Sequence, residues 1–175
     1  ERKIIIEASQ KNEKIKIIAK ELELSSDLLV DGINFRLMGK IDRVDLRGDT
    51  LRIIDYKTGN VEQSELLFTD FDELIDNPNK SKAFQLLMYA YLYLKNYPHY
   101  IGLNIITGNF SFKNLKPGLL KVRQRINRKE SEILSINQNI LDAFEFQLRS
   151  VLLRINNDHF AQIPHLKDCE WCGYR

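Results

Sequence analysis

Two apolar-rich runs that cannot be buried without taking charge in with them set the terms for this chain of 175 residues. Leu37 to Leu46 and Leu51 to Lys57 flank the turn-forming residues Arg47, Gly48, Asp49 and Thr50, and such a pair across a short polar turn reads as a β-hairpin. Side chains along a strand alternate faces, so Leu51, Ile53, Asp55 and Lys57 share one face while Arg52, Ile54 and Tyr56 share the other. The same rule groups Met38, Lys40, Asp42, Val44 and Leu46 on the preceding strand, which brings Asp42 beside Asp55. Two carboxylates and an ammonium within apolar strands are costly to bury unless they hold an ion or one another. Either a cation site or an internal salt-bridge cluster is therefore expected here.

The clearest helix runs from Lys80 to Asn96, where Ala83, Leu86, Leu87, Ala90 and Leu94 recur at helical spacing and Tyr97-Pro98 supplies the stop. Gln85 and Tyr89 are four apart and so share a face. With Phe84, Tyr91 and Tyr93 nearby, Tyr89 also fits as one more aromatic of a core helix.

Three features together carry a family likeness: Asp42 within Gly39-Lys40-Ile41-Asp42-Arg43-Val44-Asp45, the tetrad Asp55-Tyr56-Lys57-Thr58, and Gln85 followed by Tyr89. In this order and at this spacing they resemble the PD-(D/E)XK nuclease superfamily, and within it the RecB and AddB type of helicase-linked nuclease domain. A lone D-x-K is a weak signal; the conjunction is a strong one. The resemblance implies a restriction-endonuclease-like α/β core, a mixed central sheet containing an antiparallel meander and flanked by helices. It implies Asp42, Asp55 and the Tyr56 carbonyl as ligands of Mg²⁺ or Mn²⁺, with Lys57, Gln85 and Tyr89 completing the catalytic set. Mg²⁺ suits such hard oxygen donors and typically takes one or two carboxylates while keeping several waters. Phosphodiester hydrolysis needs an activated water and neutralised phosphoryl charge, both of which a bound cation provides. Members of this branch also take an acidic or histidine ligand from N-terminal helices, and no residue here is assigned to that role. The chain is accordingly expected to be a single domain over 1–175, cut from a larger protein.

The remaining elements fit this plan. Lys14 to Leu24 alternates apolar and charged residues with a register change near Lys20, which reads as a strand. Ser25 to Asp27 reads as a turn, Leu28 to Val30 as a short strand and Asp31-Gly32 as a second turn. From Thr58 to Asn79 the chain carries Leu66, Leu67, Phe68, Phe71 and Leu74, so part of it should pack as a helix or flap near the site. Tyr100 to Phe110 reads as another central strand, and a strand returning after a helix makes the architecture α/β. Asn127 to Asn157 has the periodicity of one long amphipathic helix.

Apolar content of 43% with 29% charged residues is ordinary for a globular domain. No apolar run approaches the ~20 residues that span a bilayer and no secretory pattern opens the chain, so a cytoplasmic location without a membrane is expected. The net charge of +2 is uninformative, but its distribution is segregated: Thr58 to Asn79 holds six acidic side chains and no basic one, and Ser111 to Lys129 holds seven basic ones and no acid. Such segregation steers a polyanion to one side, or simply marks two solvated loops. If extended, Lys121, Arg123 and Arg125 form one basic face, and with Arg43 and Thr58 they are the candidate contacts to DNA.

Cys169 and Cys172 form a C-x-x-C near the end of the chain. In the resembled branch such a pair joins further cysteines around an iron-sulfur cluster, which takes four thiolates. Two cysteines make a cluster possible only with ligands outside this chain. A zinc site with His159 or His165 is the alternative, and a structural disulfide does not fit the expected compartment.

The expected function is a Mg²⁺-dependent deoxyribonuclease, an exonuclease of DNA repair and recombination partnered by a helicase subunit or domain. The alternatives are a catalytically inactive DNA-end binding module of the same fold and a small CRISPR-adaptation-type exonuclease, which needs a complete four-cysteine set. The sequence contains no phosphate-binding P-loop, so a helicase motor would lie elsewhere.

Overall fold

A computed structural model describes residues 14–157. Three long strands open the chain: β1 (Ile15–Val30), β2 (Ile33–Arg47) and β3 (Thr50–Lys57). They form the expected antiparallel meander, with Val30 paired to Ile33 and Arg47 to Thr50 across the two turns. At the first turn Asp31 and Gly32 both take positive φ (47° and 79°), as the tight hairpin geometry compatible with strand twist requires.

The expected turn at Ser25 to Asp27 does not form. Ser25, Ser26 and Asp27 pair with Met38, Leu37 and Arg36, so β1 continues as one strand; polar residues on a solvated rung do not end a strand whose partner continues. The face assignment along β2 also differs from the sequence reading. Leu37 and Ile41 are buried while Met38 is 72% exposed, yet Val44 is fully buried. The core-facing parity therefore switches between Ile41 and Val44. Opposite this point Glu21 has φ 51°, bracketed by the pairs Lys20 with Arg43 and Leu22 with Ile41. A further register shift falls between Ile17 and Ala19. Irregularities of this kind bend and twist a strand, and alternation cannot be carried through them.

After β3 the connector makes a 3-10 turn over Gln63–Leu66, a two-residue strand β4 (Leu67–Phe68) and a short helix α1 (Phe71–Asp76). Leu66, Phe68 and Leu74 are buried, which is why the segment packs despite its acidity. The central helix α2 (Ser81–Asn96) follows. It buries Leu86, Leu87, Ala90 and Leu92 against the sheet and returns the chain to β5 (Asn104–Ser111), which lies parallel to β3. Two short extended pieces, β6 (Leu120–Lys121) and β7 (Arg123–Arg125), precede β8 (Ser131–Ile133). The main sheet has the order β1-β2-β3-β5-β6 and is mixed, and β4, β7 and β8 form a small second sheet.

The last helix is shorter than its periodicity suggests. α3 spans Gln138–Asn157, and Asn127 to Asn137 are instead turn and strand. The boundary is set locally: the Asn137 side chain accepts the Ile140 amide at 3.1 Å, a cap that satisfies a donor left over at a helix start. Phe144 of α3 packs against Phe84 and Tyr91 of α2 with ring centroids 5.3 and 6.1 Å apart. Among the described residues no helix is long and apolar enough to cross a membrane.

Candidate active site

β3 and α2 build the site between them. At the C-terminal end of β3, Asp55 is 4% exposed, and its Oδ2 lies 2.9 Å from Lys57 Nζ. The same ammonium donates to Gln85 Oε1 at 2.7 Å, and Gln85 Nε2 donates to the Tyr89 hydroxyl at 2.8 Å. One chain of hydrogen bonds thus runs from the strand onto the helix. Because Gln85 must accept from an ammonium with its oxygen, the opposite end of its amide faces Tyr89, and the orientation of the side chain follows from charge.

Asp42 joins from β2. The ladder between β2 and β3 has Arg43 and Ile54 as its last pair, and beyond it the Asp42 Oδ2 accepts the backbone N–H of Tyr56 at 2.7 Å. A side chain takes over where the backbone pairing stops, and this places the carboxylate against the Asp55-Tyr56-Lys57 segment. Burial raises the Asp55 pKa above the usual carboxylate value, opposed by Lys57, with the Asp42 charge raising it further and Asn109 lowering it. Burial likewise raises Tyr89, opposed by Gln85, with Asp55 and Asp42 adding to the rise. The phenol is therefore a proton-bearing donor at neutral pH.

A residue that the sequence reading did not single out completes the arrangement. Asp55 pairs with Asn109 in the parallel register of β3 and β5, and Asn109 Nδ2 donates to Asp55 Oδ2 at 2.7 Å. Asn109 is fully buried within a polar run of Thr107, Asn109 and Ser111. The signal available was that run itself, since three alternate polar residues in an otherwise apolar central strand must answer to something buried.

The other expected contacts fall elsewhere. Arg43 is not at the site: it is 4% exposed, and its Nε donates to Asp45 Oδ2 at 2.6 Å. Arg52 donates to Asp45 at 2.6 and 2.9 Å, so a buried Arg-Asp-Arg cluster occupies the sheet face opposite Asp55 and Lys57. A guanidinium committed this way is structural rather than a phosphate contact. Thr58 is exposed just beyond β3. Lys121 lies on β6, two strands from β3. Arg123 is tied to the Ser131 hydroxyl and carbonyl, and Arg125 Nη1 donates to the Arg128 carbonyl at 3.4 Å. The basic stretch is thus extended, as its pattern implies, but it is split, with Lys121 on the edge strand of the main sheet and Arg123 and Arg125 on the small sheet. His159, His165, Cys169 and Cys172 lie outside the described residues.

The donor set fits a hard divalent cation. Both carboxylates commit Oδ2 to the protein, and among the described residues no hydrogen bond reaches either Oδ1. A buried carboxylate whose pKa is raised by burial and by the charge of a neighbouring carboxylate is stabilised by a dication between the two. Among the described residues no three acidic, histidine or cysteine groups converge, so Asp42 and Asp55 are the side-chain ligands on offer.

A model of the PD-(D/E)XK nuclease superfamily matches residues 2–175. The chain belongs to that superfamily. No curated protein matches it. Among solved structures, the crystal structure of SSO0001 is similar over 97% of this chain and 62% of its own, with 13% identity and a TM-score of 0.41. The chain thus spans less than two thirds of the length of that protein.

Proposed function

We propose that this chain is a Mg²⁺- or Mn²⁺-dependent deoxyribonuclease domain that hydrolyses phosphodiester bonds, serving as an exonuclease in an AddB- or RecB-like repair and recombination enzyme with a helicase partner. The observation that carries the reading is the continuous network from Asp42 and Asp55 through Lys57 to Gln85 and Tyr89 at the end of β3. Nothing in a purely structural ion pair calls for an amide and a phenol ordered in series behind it.

The roles follow from the donors and acceptors left over. Asp42 and Asp55, with the Tyr56 carbonyl, would hold the cation, which supplies positive charge for the phosphoryl oxygens and lowers the pKa of a coordinated water. Lys57 has three N–H donors, of which Asp55 and Gln85 take two. The third is available to a phosphoryl oxygen or to the attacking water. Gln85 fixes that ammonium, which otherwise carries about 2 kcal/mol of side-chain entropy on its flexible stem. Tyr89 accepts from Gln85 and so keeps its own O–H for a phosphate oxygen.

Cleavage of linear single- and double-stranded DNA in Mg²⁺ or Mn²⁺ tests the reading, with Asp55→Ala and Lys57→Ala as controls of retained fold. Both should abolish cutting. Unchanged cleavage in both variants rejects the assignment, and DNA-end binding without cleavage by the unaltered chain leaves only the inactive module.

A further inference from the structure

α2 carries a third polar residue on the face of Gln85 and Tyr89. Lys82 stands three residues before Gln85 and seven before Tyr89, the spacing that stacks side chains on one side of a helix. It is one turn nearer the helix start, hence at the mouth of the network. Its ammonium is paired with the Glu65 carboxylate of the connector, and both side chains are about a quarter exposed, at 26% and 27%.

Glu65 is itself held. Its other oxygen accepts the Glu62 backbone N–H at 2.8 Å, within a reciprocal capping arrangement at the 3-10 turn Gln63–Leu66. Beside it opens a cleft of about 510 Å³, lined by Asn60, Glu62, Ser64, Glu65, Asn79 and Lys80 among others. Asn60 is three residues beyond Lys57, so the cleft starts where the catalytic strand ends. Lys80 is occupied in the same way, by Glu73 at 3.3 Å and the Ser64 carbonyl at 2.9 Å. The connector thus sets a fixed carboxylate on the lysine nearest Gln85, at the edge of an open polar cleft.

We propose that Lys82 is a DNA-phosphate contact of this site and that Glu65 occupies the phosphate's position until substrate displaces it. The inference rests on the nuclease reading and names a residue of the substrate track. The pair is partly open to solvent, so a phosphate oxygen can reach Lys82 and compete for it. Glu65, anchored through Glu62, stays close after the exchange and opposes the incoming charge. Affinity for the polyanion is thereby tempered at this point of the cleft.

The test is DNA binding in EDTA, where no cutting occurs, read by fluorescence anisotropy with labelled single-stranded and duplex oligonucleotides over a salt series. Lys82→Gln should weaken binding roughly threefold or more and reduce the salt slope by about one. Glu65→Gln should tighten it by a similar factor, and glutamine keeps the acceptor that the capping turn uses. The gain from Glu65→Gln should shrink when Lys82→Gln is also present, since coupled residues are non-additive. Unchanged affinity and slope in Lys82→Gln, or looser binding in Glu65→Gln, overturns the proposal. If the unaltered chain cuts DNA and these variants bind like it, only this inference fails. If it binds with the expected pattern but never cuts, the nuclease reading fails and this one stands. A chain that neither binds nor cuts overturns both.

Discussion

Asn109 donates to Asp55 Oδ2 at 2.7 Å across the parallel pair β3 and β5, directly beside it in register. The same oxygen meets Lys57, while Asn109 Oδ1 is buried with no hydrogen-bond partner among the described residues. A buried amide with one end unpaired costs about 1–3 kcal/mol. Asn109 therefore tolerates a penalty in order to aim its N–H₂ at a carboxylate. Outer residues that orient a ligand usually change metal affinity by about 10- to 100-fold when lost, so Asn109→Leu should raise the Mn²⁺ dissociation constant by about tenfold. Electron paramagnetic resonance of free Mn²⁺ measures this without any turnover. A variant that merely misfolds in part would lower the number of sites and leave their affinity alone.

Two glycines should separate in their tolerance of a methyl group. A Cβ on Gly108 would stand 2.5 Å from the Leu120 carbonyl oxygen, a backbone atom of the neighbouring strand that cannot yield without breaking the sheet. A Cβ on Gly39 would meet Leu92 Cδ1 at 2.8 Å and Tyr89 Cε1 at 3.3 Å, side-chain atoms that can shift. Overpacking costs about 1–3 kcal/mol, and Gly108→Ala should lie at or above the top of that range and Gly39→Ala near the bottom. Urea unfolding of both variants gives the ranking. Gly39→Ala should still lower cleavage, because the ring that moves aside belongs to Tyr89.

The glycine before Ile41-Asp42 shows how far residue patterns reach. That the hairpin, the helix and the Gln85-Tyr89 face come together was legible because each rests on local periodicity and on turn residues. The alternation of β1 does break near Lys20, beside Glu21 with its φ of 51°, but the pattern of β2 held no sign that its core parity switches on the facing strand between Ile41 and Val44. Asn109 was missed because its partner is 54 positions away, and Arg43 was misplaced because a basic residue beside a motif reads the same whether it faces phosphate or a buried Asp45. The Asn127 to Asn157 segment failed through its spacing: Ile133, Leu134 and Ile136 suit a short strand and its exit as well as a helix.

Asp45 is fully buried between two arginines that are each 4% exposed. Removing one member of such a cluster strands the others, at about 3–5 kcal/mol. Asp45→Ala should therefore be among the most destabilising single changes in the domain, and thermal and urea denaturation should both show it. Arg43→Ala should lower stability as well. Folded Arg43→Ala protein should bind oligonucleotides with the affinity and salt slope of the unaltered chain, since the guanidinium lies on the face away from Lys57.

Glu145 offers a pH-dependent probe of how α3 holds α2. Its carboxylate accepts the Tyr91 hydroxyl at 2.8 Å and meets Lys95 at 3.0 Å and Arg149 at 2.7 Å. Burial works against the charge, but the hydrogen bonds from Arg149, Lys95 and Tyr91 outweigh it and hold the pKa down at about 2, against an ordinary 4.5. A carboxylate depressed in the folded state stabilises the fold in full above its unfolded pKa, and that contribution drains away as pH falls through the folded value. Glu145→Gln should thus cost about 1–2 kcal/mol at pH 7, a charge-assisted bond being stronger than its neutral replacement. The deficit should shrink steadily between pH 4.5 and pH 2. Urea midpoints for the two proteins, compared at pH 7, 4 and 3, should converge; a gap that stays constant down to pH 3 would mean that Glu145 acts by packing and not by its charge.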